Sequence, residues 1–526
     1  MGRTLIIQLE RLGDLVQTTP LLRDLQATHP DEQLDLLVTT EFRDVLDGFP
    51  GLGQICTLDE ATVVALNAEV EAARLSRTVP MRAEAATHAL SLPVYDRVLN
   101  LTHAAFGCWL TTALNARHSE GGFITPDGEW LYRGDWHIYL VAMLDFRADN
   151  QFNLVDLYRG TAPGAPPPTT TARPYVPHAS DAGTPLPQGT LVALNPGASE
   201  ASKRWPVTHF ARLADELSAH GLTSILVGSA ADRDTCTQVA EAARCAPVNL
   251  AGRTALAQAA RLLAQCTLLV SNDTGAVHLA AAVGTPVVGV FGATFGRETA
   301  PWSAGNLLLQ GMGAAAMESV PPALVALAVR ERLGLVPTEA LSTALRGQSV
   351  CAWETYFLPA GRDPLGGLAF RPRHALVDDE TERYVSNLRH VFASEFTGGS
   401  AAEISPQREA STPSPLAATI TTCIRQCEEL AAVGVRATAA LRRGDSAGLD
   451  QLSAALLRGQ EALVQAAETC RAVRPVVAFT EWWLRCMPSL DADATLRQHS
   501  RAFSRTAGML RRGLVASSAP PDASRS

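Results

Sequence analysis

The sequence lacks both the cysteine spacing of a zinc site and an excess of positive charge. Its ten cysteines include no Cys-x-x-Cys pair, and the two nearest, Cys423 and Cys427, have the spacing of neighbours on one helix face. A net charge of −9 leaves no general basic surface for nucleic acid. We therefore expect neither a metal site nor a nucleic-acid partner, and dispersed cysteines are typical of a reducing compartment.

Long apolar runs are also missing. The apolar run near the N-terminus stops at Glu10 and Arg11, which makes it too short for a signal peptide. The mildly apolar stretch 275–296 contains His278 and Pro286, so it indicates a helix followed by a buried strand rather than a membrane span. We therefore expect a cytoplasmic protein.

Two series of alternating strand and helix patterns account for much of the chain. The first begins with an apolar run at 3–9, continues through a glycine turn and a helix, and reaches a second strand at 34–39. The second extends from 190 to 291 with the same alternation. Residues 161–190, rich in Pro, Gly, Thr and Ser, separate them as a linker would. The pattern predicts an α/β protein with two Rossmann-like domains that face a cleft.

The 526-residue chain is divided further by its composition. Beyond a second Pro/Ser-rich break, the Ala- and Leu-rich C-terminal region has helical periodicity. Residues 60–90 resemble a helical insertion in the first domain. We predict an N-terminal Rossmann-like domain at 1–165, a linker at 166–188, a second Rossmann-like domain at 189–350, an irregular segment with a crossover helix at 351–400, and an α-helical extension at 416–526 that ends in a disordered tail.

The first candidate site follows the first predicted strand, as Arg11-Leu12-Gly13-Asp14. Ligands of doubly wound sheets bind beyond the carboxyl ends of the strands. Gly13 permits a close backbone approach to a ligand, and the Asp14 carboxylate can accept a proton from an acceptor hydroxyl. The alternative, that Asp14 only caps a helix, stays open from this motif alone.

Two further motifs follow predicted strands and lead into helices. One is Asn-Pro-Gly-Ala-Ser at 195–199 with Lys203 close behind, where small residues expose N–H groups and Ser199 and Lys203 add donors for a diphosphate. The other contains Asp273, a candidate N-cap, and continues through Thr274 and Gly275 to His278. A plain turn with solvated cations and a structural histidine are the respective alternatives.

These three motifs, in this order and each at a strand end, resemble those of glycosyltransferase family 9, the ADP-heptose:lipopolysaccharide heptosyltransferase family. The matching segments are RLGDLVQTTPLLRDL, NPGASEASKRWPVTHFARLADEL and SNDTGAVHLAAAVGTPVVGVFG, and the resemblance extends over about residues 1–330. It implies the GT-B fold, in which the N-terminal domain at 1–165 is the acceptor domain and the domain at 189–350 binds the donor. It also implies an inverting transfer from an ADP-sugar such as ADP-heptose, and no metal or other cofactor.

The resemblance also implies roles for individual residues. Asp14 matches the catalytic base, and Lys203 matches a cation that contacts the donor phosphates during catalysis. Thr254 falls where the family contacts adenine, and either Asp232 or Asp234 matches a ribose-binding position. The residues that we expect to bind substrate are Arg11, Gly13, Ser199, Asp232, Thr254, Asp273, Thr274, Gly275 and His278.

The acceptor is the least determined part of this hypothesis. A lipopolysaccharide core, another glycan and a protein of autotransporter or flagellin type all remain open, as does peripheral contact with the inner membrane. The C-terminal helices have no counterpart in the resemblance and could serve a partner or oligomerisation. A Rossmann epimerase or dehydrogenase is disfavoured because the first turn is RLGD rather than Gly-x-Gly-x-x-Gly. A non-catalytic nucleotide-sugar-binding scaffold remains the main rival.

Overall fold

The computed structural model describes most of the chain, in two compact units. The described residues are 2–162, 173–177, 185–313, 315–358, 365–374, 379–397, 414–486 and 492–518. Most of the predicted linker, the second Pro/Ser-rich break and the predicted disordered tail therefore lie outside the described residues. The first unit comprises residues 1–130, 152–361 and 365–376, and the second comprises 131–151, 362–364 and 377–526.

The first sheet is formed by the N-terminal part of the chain. Its six strands have the order β3-β2-β1-β4-β5-β6, and β1 to β5 pair in parallel. Strands β1 and β2 are almost wholly buried, as expected for strands covered on both faces. The elements are β1 (Arg3–Gln8), α1 (Leu12–Thr28), β2 (Gln33–Thr39), β3 (Leu52–Leu58), α2 (Glu60–Ser76), α3 (Met81–Ala89), β4 (Arg97–Asn100), α4 (Ala105–Ala113), β5 (His118–Ile124), β6 (Trp130–Arg133), α5 (Asp135–Ala142) and α6 (Leu154–Gly160).

Helices α2 and α3 occupy the segment that the sequence suggested was a helical insertion. They lie between β3 and β4, which are on opposite sides of β1 and β2 in the sheet. A parallel connection that crosses two strands needs a long helical path. Helices α2 and α3 therefore form the crossover connection of the sheet itself.

The second sheet has eight strands in the order β14-β13-β12-β11-β10-β7-β8-β9. Strands β7 to β12 pair in parallel, whereas β13 and β14 are antiparallel additions at one edge. Its elements are β7 (Leu191–Asn195), α7 (Val207–Ala219), β8 (Thr223–Leu226), α8 (Arg233–Ala242), β9 (Val248–Asn249), α9 (Leu256–Gln265), β10 (Leu268–Asn272), α10 (Gly275–Val283), β11 (Val287–Phe291), α11 (Gly296–Thr299), β12 (Leu307–Gly311), α12 (Pro322–Arg332), α13 (Ala340–Ala344), β13 (Val350–Phe357) and β14 (Leu368–His374).

Strands β13 and β14 replace the irregular segment that the sequence predicted from residue 351. Trp353, Tyr356 and Phe357 in β13 are aromatic residues that favour a pleated surface. The loop before β14 contains Pro and Gly, and these residues made the segment appear irregular. The second sheet therefore continues to residue 374, beyond the predicted boundary at 350.

The second unit is helical. Its C-terminal helices confirm the predicted α-helical extension, and no helix in the described part of the chain is long and apolar enough to cross a membrane. Besides these helices it includes α5, which the sequence assigned to the acceptor domain. The helices are α14 (Asp379–Phe396), α15 (Pro415–Arg442), α16 (Ser446–Thr469), α17 (Arg474–Cys486) and α18 (Ala492–Ser518).

Aromatic packing explains why α5 belongs to the helical unit. Every residue of α5 from Trp136 to Ala142 is buried, so the helix needs cover on all sides. The ring of Tyr139 lies 4.8 Å from that of Phe392, and the Phe392 ring lies 5.7 Å from that of Phe479. The extension is therefore not an independent module, because its core includes a segment that occurs far earlier in the chain.

A buried ion pair joins α1 to α6 within the first unit. Asp24 and Arg159 are 2% and 1% exposed, and their carboxylate and guanidinium are 2.6 Å apart. The guanidinium also donates to the Leu365 carbonyl at 2.9 Å. Next to it, the Asn153 side chain donates to the Ala300 carbonyl, which belongs to the second half of the unit. Helix α6 thus connects the first helix of the N-terminal half to the second sheet.

We expect Asp24→Asn to lower the free energy of unfolding by about 3–5 kcal/mol, because it leaves the Arg159 charge buried without its partner. Replacing both residues together, as Asp24→Leu with Arg159→Met, should cost less. Urea unfolding measures both, with Asp47→Asn in the exposed Arg43 pair as a control that should change stability by less than about 1 kcal/mol. Equal losses for the single and double changes would contradict the assignment.

Candidate functional site

The three predicted motifs lie where strand order reverses in the two sheets. In the second sheet, β7 and β10 are neighbours whose following connections lead to opposite sides. In the first sheet, β1 and β4 are likewise neighbours, and the connections that follow them lead to opposite sides. Crevices at such reversals, beyond the carboxyl ends of the strands, are the usual ligand sites of doubly wound sheets.

Asn272 fixes the loop that follows β7. Its amide nitrogen donates to the carbonyls of Pro196 and Gly197 at 3.0 Å each, and its side-chain oxygen accepts from the Trp205 backbone N–H at 3.0 Å. The amide is fully buried. Its role was not predicted, although a polar residue at the end of an otherwise apolar strand is the signal that could have revealed it. The loop 195–205 is therefore held firmly at the strand ends.

Helices α1 and α10 meet at their first turns. A Cβ atom on Gly13 would lie 2.8 Å from Cδ2 of His278, and a Cβ on Gly275 would lie 3.0 Å from a methyl carbon of Leu12. Each glycine thus allows the opposite helix to approach. This contact brings two of the predicted motifs, from the two halves of the first unit, into direct proximity.

Burial keeps His278 neutral at that contact. The side chain is 4% exposed, and its desolvation lowers the pKa of the imidazole to about 3. Its Nδ1 has no hydrogen-bond partner among the residues that the structure describes. A neutral ring can donate or accept a hydrogen bond but cannot contribute charge.

Asp14 caps α1, and its surroundings also shift the pKa of its carboxyl group. It lies at the third helical position of α1, where its carboxylate accepts a hydrogen bond from the Arg11 backbone N–H at 3.2 Å. Burial, and then the nearby charge of Glu10, raises its pKa to about 7. The capping role that the sequence left open is therefore present, and the pKa of the same carboxyl group lies near neutral pH.

Glu10 is a further member of the site that the motifs did not indicate. Its carboxylate accepts hydrogen bonds from the Thr102 hydroxyl and from the His103 backbone N–H, both just beyond β4. Burial and the charges of Asp14 and Glu10 raise the pKa of Tyr158 well above its usual value. Residue identity alone could not reveal this group, because it depends on β1 and β4 being neighbours.

The cations of the first two motifs share one carboxylate. Arg11 reaches across to donate to the Ser199 hydroxyl at 3.2 Å and to Glu200 at 3.2 Å. Lys203 lies 3.3 Å from the same Glu200 oxygen and 4.0 Å from the Asp273 carboxylate. The predicted residues Arg11, Ser199, Lys203 and Asp273 are thus brought together, with Glu200 as an addition.

The cap of α10 differs from the prediction. Thr274, not Asp273, is the N-cap, and its hydroxyl accepts from the Ala276 backbone N–H. Thr274 has the extended backbone of a cap, and its hydroxyl also receives a hydrogen bond from the Asn195 side chain. Asp273 is instead directed towards Lys203, and its burial raises its pKa.

Asp232 and Thr254 complete the predicted set at the ends of β8 and β9. A Cβ on Gly197 would clash with a carboxylate oxygen of Asp232, so Asp232 contacts the loop 195–205 directly. Asp234 lies instead in the first turn of α8. The segment that contains Thr254 is anchored by the Gly252 backbone N–H, which donates to the Gly228 carbonyl at 2.9 Å.

Comparison with known proteins agrees with this arrangement. Residues 85–312 match the model of glycosyltransferase family 9 (heptosyltransferase). The chain is 39% identical to lipooligosaccharide heptosyltransferase 2 of Haemophilus influenzae over 123 residues, which are 22% of this chain and 36% of that protein. It is 26% identical to lipopolysaccharide heptosyltransferase 3 of Escherichia coli over 306 residues, 55% of this chain and 84% of that protein.

A similar solved structure is that of Escherichia coli ADP-heptose lps heptosyltransferase II, with 22% identity, a TM-score of 0.46, and coverage of 64% of this chain and 99% of that one. The sequence match to the Haemophilus relative spans about a third of that protein.

The two parallel sheets, with loops at their reversal points, are two Rossmann-like domains of the GT-B fold. The residues that match the glycosyltransferase family 9 model extend from α3 through β12. They include Lys203 and the motif 271–278. Arg11, Gly13 and Asp14 precede the matched residues, and their place at the site follows from the contact between α1 and α10.

The raised pKa of Asp14 predicts how stability depends on pH. Between about pH 4 and pH 7 the folded protein holds the Asp14 proton more tightly than the unfolded chain does, so stability contributed by this group falls as pH rises through that window. Asp14→Asn should therefore be about as stable as wild type near pH 4 and more stable, by roughly 1–3 kcal/mol, at pH 8.

Urea unfolding across this pH range measures the difference, with Glu84→Gln at an exposed position as the control. A difference between Asp14→Asn and wild type that does not change with pH would mean that Asp14 titrates normally.

Proposed function

We propose that the protein is a heptosyltransferase-type enzyme that transfers heptose or a related sugar from an ADP-sugar to a lipopolysaccharide-core or other glycan acceptor. The observation that carries the proposal is the contact between α1 and α10. It sets Asp14, a carboxyl group that titrates near neutrality, beside a loop with Lys203 and Asp273. The names of the relatives support the same chemistry.

The proposed reaction is a single displacement with inversion. Asp14 removes the proton from the acceptor hydroxyl. As it does so, the oxygen of that hydroxyl forms a bond to the anomeric carbon of the donor sugar, and the bond between this carbon and the ADP oxygen breaks. At neutral pH, a carboxyl group with a pKa near 7 is ionised in a large fraction of molecules and is basic enough to take a proton from a hydroxyl group. The capping hydrogen bond from the Arg11 N–H supports this role because it holds the carboxylate in one orientation.

The donor is proposed to lie along the ends of β7, β8 and β10. Lys203 and the Gly275 N–H at the start of α10 would offset the charge that develops on the departing ADP. Ser199 would contact the same phosphates, Asp232 the ribose and Thr254 the adenine. The neutral His278 would offer a hydrogen bond to the sugar or its phosphate. The proposal includes no metal or other cofactor, as the family resemblance implies.

The acceptor, the partners and the cellular location belong to the same proposal. A lipopolysaccharide core is favoured by the names of the relatives, and a protein acceptor remains the alternative. Arg442, Arg511 and Arg512 form ion pairs within the helical unit, which supports internal packing rather than an anionic surface as their role. We place the reaction in the cytoplasm, with peripheral membrane contact and helix-mediated oligomerisation as further possibilities to test.

We expect Asp14→Asn to keep donor binding nearly unchanged and to lower the transfer rate by about 10²–10⁴-fold, because the amide cannot accept the proton. The measurement is turnover with saturating ADP-heptose and lipopolysaccharide-core acceptor, with ADP affinity from calorimetry alongside. Wild-type turnover in the variant would remove Asp14 as the base. Absence of transfer in the wild-type protein, with intact ADP binding, would favour the non-catalytic scaffold.

We expect Lys203→Ala to weaken ADP binding by about 1.5–3 kcal/mol while leaving adenosine binding unchanged, because the lost ammonium contacts only the phosphates. Calorimetry with both ligands gives this difference directly. Arg244→Ala serves as the control, since that arginine is 89% exposed and pairs with Asp215 instead. Equal loss for ADP and adenosine would indicate that Lys203 supports the fold of the loop rather than the phosphates.

A further inference from the structure

Glu200 lies between the two cations that the proposed donor site would use. Its Oε1 atom is 3.2 Å from Nη1 and 3.3 Å from Nη2 of Arg11, and 3.3 Å from Nζ of Lys203. Arg11 follows β1 in the first half of the unit, whereas Glu200 and Lys203 belong to the loop after β7. One carboxylate oxygen therefore joins cations from both halves.

The surroundings of this oxygen resemble those of a bound phosphate oxygen. A guanidinium and an ammonium converge on it, and the Ser199 hydroxyl lies 3.2 Å from the same Arg11 nitrogen. Phosphates are usually bound by such combinations of arginine, lysine and hydroxyl groups. The Lys203 hydrogen bond and charge, and then those of Arg11, lower the pKa of Glu200, so the carboxylate remains ionised across the physiological range.

The exposure of the Arg11, Glu200 and Lys203 side chains indicates which of the two Glu200 contacts costs more free energy to break. Arg11 and Glu200 are 62% and 48% exposed, whereas Lys203 is 14% exposed. Water screens the Arg11 pair strongly and the Lys203 pair less. Lys203 also faces the Asp273 carboxylate, so the anionic groups around it are Glu200 on its own loop and Asp273 beyond β10.

We propose that Glu200 is a specificity-determining residue whose carboxylate occupies the anion position between Arg11 and Lys203 until the diphosphate of the donor displaces it. This inference rests on the proposed function, in which the same loop binds an ADP-sugar. A ligand must carry enough negative charge to displace the Glu200 carboxylate before it can bind Arg11 or Lys203. Glu200 thereby disfavours small anions such as inorganic phosphate and leaves the binding of an uncharged nucleoside unaffected.

The test compares Glu200→Gln with wild type by calorimetry at low salt, using ADP, inorganic phosphate, inorganic pyrophosphate and adenosine as ligands. Glutamine keeps the size of the side chain and removes its charge. We expect ADP affinity to rise about three- to tenfold, phosphate and pyrophosphate affinities to rise at least as much, and adenosine affinity to change less than twofold. Adding Lys203→Ala to Glu200→Gln should abolish these gains.

Glu84→Gln, at an exposed position in α3, controls for a general change in net charge. If Glu200→Gln binds ADP with unchanged or lower affinity, Glu200 does not compete with the diphosphate and the inference is overturned while the proposed function stands. If neither protein binds ADP but the variant gains affinity for pyrophosphate, the anion position stands and the ADP-sugar donor is wrong. No gain for any anion rejects the inference.

Discussion

The candidate site depends on one close contact between the first turns of two helices. Helix α1 follows the first strand of the N-terminal sheet, and α10 follows a central strand of the second sheet. They can meet only because Gly13 and Gly275 have no side chain where His278 and Leu12 lie. Interiors packed at this density leave no room for even a methyl group, so the approach is set by these two glycines. The position of Asp14 relative to the second-half loops follows from it.

The fold around this contact ensures that both helices start in the right place. Strand order reverses next to β1 in the first sheet and next to β7 in the second. The loops that follow the strands at each reversal therefore lie at the carboxyl-end edge of their own sheet. Asn272 then ties the loop 195–205 to its strand, and the buried pair of Asp24 and Arg159 ties α1 to α6. Buried polar groups of this kind are costly unless fully partnered, and here they restrict how the two halves can be arranged.

The sequence predicted the two Rossmann-like series and the C-terminal helices because each strand and helix has a strong local period. It also predicted Asp14, Lys203 and the residues around His278, since these stand at strand ends. It could not predict Glu10 beside Thr102, or Glu200 beside Arg11, because those pairs are more than 90 residues apart in the chain. Strands β13 and β14 were missed because their Pro- and Gly-containing surroundings concealed a short antiparallel pair.

The inclusion of α5 in the helical unit has a consequence for synthesis. Helix α5 ends at Ala142 and the first helix that covers it begins at Asp379, so roughly 240 residues are made in between. Ribosomes add about 5–20 residues per second, so α14 is synthesised on the order of tens of seconds after Trp136 and Tyr139, against which it packs. During that interval the nascent chain presents an uncovered aromatic helix. The segment 135–142 therefore completes its native packing only after residues 379–396 have been synthesised.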